Sequence, residues 1–179
     1  IQSNASCRGA LAFMSKTLSS LHNRGIGFST DPSYRSCYGP SRRPPHTLAP
    51  TLVENFDGTL RALVGTMGGD SQPQIVLQLL ARLLLVGESP AQALSAPRWR
   101  LAGSHATGIH TWADPGEIVL ELEGSAASAE GELTQLGHTV RGMPSHNSAF
   151  GHAHIIEVEQ GGLAGAAEPR SLASSAAGY

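Results

Sequence analysis

The sequence predicts an α+β layered domain, and three observations carry that prediction. Two apolar, alternating runs, 49–54 and 60–66, flank Asn55-Phe56-Asp57-Gly58, and an Asp-Gly pair between such runs is a strong hairpin signal. Helical patterns are gathered in blocks, two of them consecutive over 72–96, instead of alternating regularly with strands. Towards the C-terminus, Ile156 and Val158 alternate with Glu157 and Glu159, the period-two mark of a strand with one apolar face. The 179 residues suffice for one domain with a real core, and 1–179 reads as a single domain without internal repeats.

Ile1-Gln2-Ser3-Asn4 reads as the tail of a strand and lacks an initiator Met, so a preceding segment is expected. In 10–21, Phe13, Leu18 and Leu21 fit either period, and the stretch is read as strand. Residues 23–47 carry Gly25, Gly27, Pro32, Gly39, Pro40, Pro44 and Pro45, which predicts a long irregular loop. Loops of that length are usually functional or disordered. After the hairpin, Ile75, Val76, Leu79, Leu80, Leu83 and Leu84 repeat at helical spacing over 72–86, stopped by Gly87. Ser89-Pro90 caps a short second helix over 90–96, closed by Pro97. Strands follow at 98–101 and 117–122, with a Gly- and His-containing loop between them. An Ala- and Glu-rich helix over 125–136 stops at Gly137, and strands at 138–142, 149–159 and 162–167 complete the chain.

Composition excludes several functions. A formal charge of −2 with no polybasic run gives no case for nucleic acid. The longest apolar stretch, 75–86, is interrupted by Gln78 and Arg82 and is too short to span a bilayer, so no membrane partner is expected. Cys7 and Cys37 form no CxxC pair and no disulfide framework; a single bridge is the alternative to the free thiols expected, and the compartment stays open.

The chemistry centres on Gly65-Thr66-Met67-Gly68-Gly69-Asp70-Ser71-Gln72-Pro73-Gln74. Two adjacent glycines after an apolar strand let the backbone turn sharply and leave amide N–H groups uncovered by side chains. Asp70 or Ser71 is placed to cap the helix that follows, Pro73 suits its first turn, and the helix N-terminus adds positive potential. The combination suits an oxyanion or a carboxylate; a simple tight connection is the plainer reading of the same residues. His152-Ala153-His154 sets two imidazoles on one strand face, but no third ligand stands at a helpful spacing, and such pairs often only hydrogen-bond. His46-Thr47 reads either as a base beside a hydroxyl or as a turn held by polar side chains. Trp99 and Trp112 are read as core or interface aromatics.

The run Met67-Gly68-Gly69-Asp70-Ser71-Gln72-Pro73-Gln74, then Leu77-Gln78 and Ala96-Pro97-Arg98-Trp99, resembles the small subunit of the γ-glutamyltransferase family. The likeness extends from Ile1-Gln2-Ser3-Asn4 through Asn23-Arg24-Gly25, Arg43-Pro44-Pro45-His46-Thr47 and Phe150-Gly151-His152 to Glu168-Pro169-Arg170 and Ala177-Gly178-Tyr179. It implies an N-terminal-nucleophile hydrolase αββα sandwich, cut from a precursor, in which an N-terminal Thr attacks a γ-glutamyl or related amide. It implies no metal and no organic cofactor, and a large subunit from the same precursor as partner.

Residue by residue, the resemblance assigns Gly68 and Gly69 to the oxyanion hole and Asn4 to a substrate contact near the nucleophile. His46 and Thr47 stand where transferases bind the glutamyl carboxylate with a Ser pair. Arg24 and Gly27 stand where they hold the α-amino group with Gln and Asp. Exchanging an acid for a guanidinium removes a partner for an ammonium and supplies one for a carboxylate, which points to the acylase-like branch and a negatively charged, glutaryl-like acyl group. The nucleophilic Thr belongs upstream of Ile1, so the chain by itself is expected to be inert. Cys7-Arg8-Gly9-Ala10-Leu11 replaces a glycine-rich segment of relatives, which motivates the rival reading of a non-catalytic, degenerate member serving as a binding or scaffold protein.

Overall fold

The computed structural model describes residues 13–14, 19–20, 24–103 and 116–178. The described residues up to Leu48 form one compact unit and those from Ala49 onward a second.

In the first unit, β1 (Phe13–Met14) pairs antiparallel with β2 (Ser19–Ser20). A 3₁₀ turn over Arg24–Gly27 follows. The predicted irregular loop is tied by local bonds. Ser29 and Cys37 form an isolated bridge, Asp31 accepts from the N–H and hydroxyl of Ser33, and Phe28 meets Tyr38 edge-on at 5.5 Å.

The second unit opens with the predicted hairpin, β3 (Thr51–Glu54) and β4 (Leu60–Met67). Gly58 takes a φ of +81° in its turn, and the Asp57 carboxylate accepts from both the N–H and the hydroxyl of Thr59. β4 pairs with β8 (His152–Glu159), and β8 with β9 (Gly162–Ala167), giving an antiparallel sheet ordered β3-β4-β8-β9. Helix α1 (Gln72–Leu80) continues as a wider π-helical turn over Ala81–Val86. It closes at Gly87 in the left-handed conformation, whose N–H reaches back to Arg82. Helix α2 (Pro90–Ser95) carries the expected Ser89 cap, which Gln92 completes into a capping box.

Both helices lie on one sheet face, because the apolar repeat of α1 and the alternation of β4 and β8 are complementary. Ala62, Val64, Ala153 and Ile155 from the strands close on Ile75, Val76, Leu79, Leu83, Ala93 and Leu94 from the helices. The register places Leu52, Leu63, Ile156, Val158 and Leu163 together on the other face, where Leu52 and Leu163 are 61% and 72% exposed.

A three-stranded sheet completes the unit. β5 (Trp99–Gly103) runs antiparallel to β6 (Ile118–Glu123), which is parallel to β7 (Val140–Met143). The crossover between the parallel strands is the predicted 125–136 helix, but its first half is 3₁₀ (Gly124–Ala129) and only α3 (Glu130–Gln135) is α-helical. Gly124 at φ +51° and the Ser128 hydroxyl bonding the Ser125 carbonyl compete with the α ladder there. Trp99 lies on β5 at 38% exposure and is not a core residue; Trp112 and the loop around it lie outside the described residues.

Candidate functional site

The end of β4 delivers Gly68-Gly69 into a 3₁₀ turn (Gly69–Ser71) that runs straight into α1. The carbonyls of Gly68 and Gly69 accept from the N–H groups of Ser71 and Gln72, which commits the carbonyls to the helix start. No acceptor among the described residues takes the N–H of Gly68 or Gly69. Gly69 sits at φ +55°, a conformation L side chains rarely adopt, and a Cβ on Gly68 would stand 3.0 Å from Ile75 Cδ1. The helix cap differs from expectation. Ser71 occupies the N-cap in helical conformation, and neither it nor Asp70 makes a side-chain cap bond, because the preceding 3₁₀ turn supplies backbone carbonyls in place of a side-chain oxygen. Pro73 does occupy the first turn.

Gly151-His152 is packed onto this turn. Gly151 has φ +80°, and a Cβ there would lie 2.5 Å from the Met67 carbonyl and 2.7 Å from Thr66 Oγ1, so only glycine fits. His152 follows, in register opposite Met67.

What holds this junction in place is a buried charge cluster that sequence reasoning missed. Arg98, Glu123, Glu168 and Arg170 are all buried. Arg98 donates to Glu168 (2.8 Å) and to the Phe150 carbonyl (2.9 Å), and Glu168 also accepts from the Ala153 N–H (2.8 Å). The residues on either side of Gly151-His152 are therefore both fixed by this cluster. Arg170 forks onto both oxygens of Glu123, bonds Glu168 at 2.8 Å, and reaches the carbonyls of Leu94 and Ala96 at the end of α2. Burial pushes the Glu168 carboxyl up, but Arg98, the Ala153 amide and Arg170 outweigh it and hold it below the usual carboxylate range. Burial likewise depresses Arg170, and its bonds to Glu123 and Glu168 outweigh that and raise it. For Arg98, burial wins and lowers the value. The signal available in sequence was the pair of short motifs Ala96-Pro97-Arg98 and Glu168-Pro169-Arg170, whose partners lie dozens of residues apart.

The remaining expected site residues are placed as follows. Arg24 opens the 3₁₀ turn of the first unit and Gly27 closes it. His46 is exposed in an irregular segment of that unit, its Nδ1 accepting from the Leu48 N–H at 3.1 Å, and Thr47 is half-buried beside it. Asn4 and the segment Cys7 to Leu11 lie outside the described residues. His152 and His154 share a strand face, but His154 Nε2 bonds the Ser174 hydroxyl at 2.8 Å, and no three metal donors cluster among the described residues.

The gamma-glutamyltranspeptidase family model matches residues 1–178. The chain belongs to that family. It is 38% identical over 159 residues to the oxamate amidohydrolase proenzyme of Klebsiella pneumoniae, covering 88% of this chain and 28% of that protein. Among solved structures it is similar to the cephalosporin acylase of Bacillus halodurans, with TM-score 0.68 and 30% identity over 87% of this chain and 27% of the other. It is also similar to the T380A mutant of the gamma-glutamyltranspeptidase of Helicobacter pylori, with TM-score 0.69, 23% identity, and 91% and 87% of the two chains covered. The α+β architecture is therefore that of the N-terminal-nucleophile hydrolases, and the likeness to the cephalosporin acylase supports the acylase-like branch of the family. The chain spans little more than a quarter of the length of the curated relatives it matches.

Proposed function

We propose that this family member is the small-subunit part of a self-processing amidohydrolase that cleaves small amides bearing an acidic acyl group. The observation that supports the reading most is the Gly68-Gly69 turn: two adjacent N–H groups without acceptors among the described residues, backed by the start of α1 and pinned by Gly151. A Thr supplied upstream attacks the amide carbonyl with its hydroxyl oxygen, and the hydroxyl proton passes to its own α-amine. The tetrahedral oxyanion takes the Gly68 and Gly69 N–H bonds, and the amine leaves with the proton. Water then attacks the acyl ester by the same route, releasing the acid and restoring the Thr. Asn4 is assigned to a substrate contact, and Arg24, His46 and Thr47 to the acyl group's charge. A guanidinium forks onto a carboxylate, and oxamate, the substrate named for the Klebsiella relative, carries a carboxylate beside its amide.

The partner is the large subunit of the same precursor. The open apolar face of the β3-β4-β8-β9 sheet, with Leu52, Ile156, Val158 and Leu163, supports such a partner, since a sandwich needs a second sheet there.

The test is made on the full-length gene product, by N-terminal sequencing of its small fragment beside hydrolysis assays on oxamate and on γ-glutamyl and glutaryl anilides. A fragment beginning with Thr that cleaves oxamate or the glutaryl anilide in preference to the γ-glutamyl one is the expected result. An uncut, inactive precursor would refute the hydrolase.

A further inference from the structure

We infer that His152 is a substrate-contacting, specificity-determining residue of the glycine-turn site, its imidazole Nε2 donating to an oxygen of the acidic acyl group. The inference rests on the amidohydrolase reading above and deepens it.

Four observations carry it. First, His152 stands in register opposite Met67, the residue immediately before Gly68, and paired residues of neighbouring strands hold their Cβ atoms about 5 Å apart. Second, its backbone is fixed there, because Gly151 is wedged against Met67 and Thr66 while Arg98 and Glu168 hold Phe150 and Ala153. Third, Ala153 and Ile155 point into the core under the helices, so alternation turns His152 to the opposite face, shared with Met67 and His154. Fourth, His152 Nε2 is shielded from solvent and has no hydrogen-bond partner among the described residues. Its neighbour His154 shows the contrast, with its Nε2 satisfied by Ser174.

Buried polar side-chain atoms in folded proteins are nearly always paired, and one that finds no partner among the described residues, on the strand position in register with the residue before Gly68, is open to a partner from the substrate. With the proton on Nε2 the ring is a donor and requires an acceptor. The Gly68 and Gly69 amides take the reacting carbonyl oxygen. The acceptor left over on a short acidic amide is its carboxylate.

The test uses the full-length protein, wild type and the variants His152→Phe and His152→Gln, with glutaryl p-nitroanilide and its uncharged methyl ester as probes. Phe keeps the ring volume without the donor, and the Gln amide nitrogen reaches the position of Nε2. For His152→Phe we expect KM on the acid to rise about 10- to 100-fold, as for loss of a hydrogen bond to a charged group, with kcat little changed and the ester unaffected. His152→Gln should recover most of the loss. Equal changes on acid and ester, or no change on either, overturn the assignment. Failure of both variants to self-process also overturns it, because the partner of Nε2 would then belong to the precursor and not to the substrate. A wild-type protein that cleaves neither probe nor oxamate refutes the hydrolase reading itself, and the inference with it.

Discussion

The glycine turn and the Arg98–Glu123–Glu168–Arg170 cluster support one another across the start of β8, yet they are built by opposite means. The turn consists of backbone: its donors are amides, and its side chains are absent because a Cβ at 151 would collide with Met67 and one at 69 would face the wrong φ. The cluster consists almost wholly of side chains, four charges with their backbone carriers spread from Arg98 to Arg170. The difference teaches that a site made of main chain needs a frame that does not yield, and here ion pairs sealed from water provide it. The turn should therefore answer perturbation in rate, and the cluster in stability.

The largest expected effect comes from breaking the cluster. Glu168→Gln leaves Arg98 and Arg170 buried with less counter-charge and should destabilise the full-length protein by about 3–5 kcal/mol in urea unfolding. The same carboxylate gives a pH signature. Its folded value lies below the ordinary 4.5, so its contribution is complete above 4.5 and is lost as pH falls through the folded value. The wild-type urea midpoint should drop on acidification below 4.5, and more steeply than that of Glu168→Gln. Equal slopes would remove Glu168 from the account.

Next in size is the turn. Gly69→Ala should cost about 10²-fold in kcat, the order found when an oxyanion donor is displaced, while lowering stability by only about 1 kcal/mol for the positive φ. A stability loss as large as that of Glu168→Gln, with proportionate activity, would erase the distinction between the two regions. Gly151→Ala sharpens it, since that position combines positive φ with a backbone clash. It should cost about 2–3 kcal/mol, whereas Gly161→Ala, at φ +94° with nothing within 4 Å, should cost about 1 kcal/mol.

The same division explains what was legible in the sequence. The hairpin at Asp57-Gly58, the helix ending at Gly87, the cap at Ser89 and the β9 span were readable because each is decided by residues a few positions apart. The sharp turn at Gly68-Gly69 between β4 and α1 was readable for the same reason. The π-helical turn over Ala81–Val86 was not, because apolar spacing reports which face is buried and not whether the ladder closes at four residues or five. The charge cluster was beyond reach, since Arg98 and Glu168 are separated by 70 residues and the motifs Ala96-Pro97-Arg98 and Glu168-Pro169-Arg170 mark the residues without saying that they pair. For His152 the sequence offers a metal pair with His154 or a hydrogen-bonding strand histidine; the substrate role proposed above emerges from the register that sets it opposite Met67.

The smallest effect tests whether the frame extends past the cluster. β5 is the open edge of its sheet, and two glutamines of α1 cover it: Gln78 both donates to the Trp99 carbonyl (2.8 Å) and accepts from its N–H (2.9 Å). Gln74, one turn earlier, accepts from the Leu101 N–H at 2.7 Å. Side-chain amides thus act as a surrogate strand, which ties the helix that begins at the glycine turn to the second sheet and blocks edge pairing. These bonds are exposed to solvent, so Gln78→Ala should cost only about 1 kcal/mol. Gln78→Glu should cost slightly more, because it keeps the acceptor for the Trp99 N–H but sets a carboxylate against the Trp99 carbonyl. Amide hydrogen exchange at Trp99 should quicken in Gln78→Ala while that at Leu122, its cross-strand partner on β6, stays slow. Exchange that quickens at both would mean that the glutamine supports the whole sheet and that the frame around the turn is less local than the cluster alone.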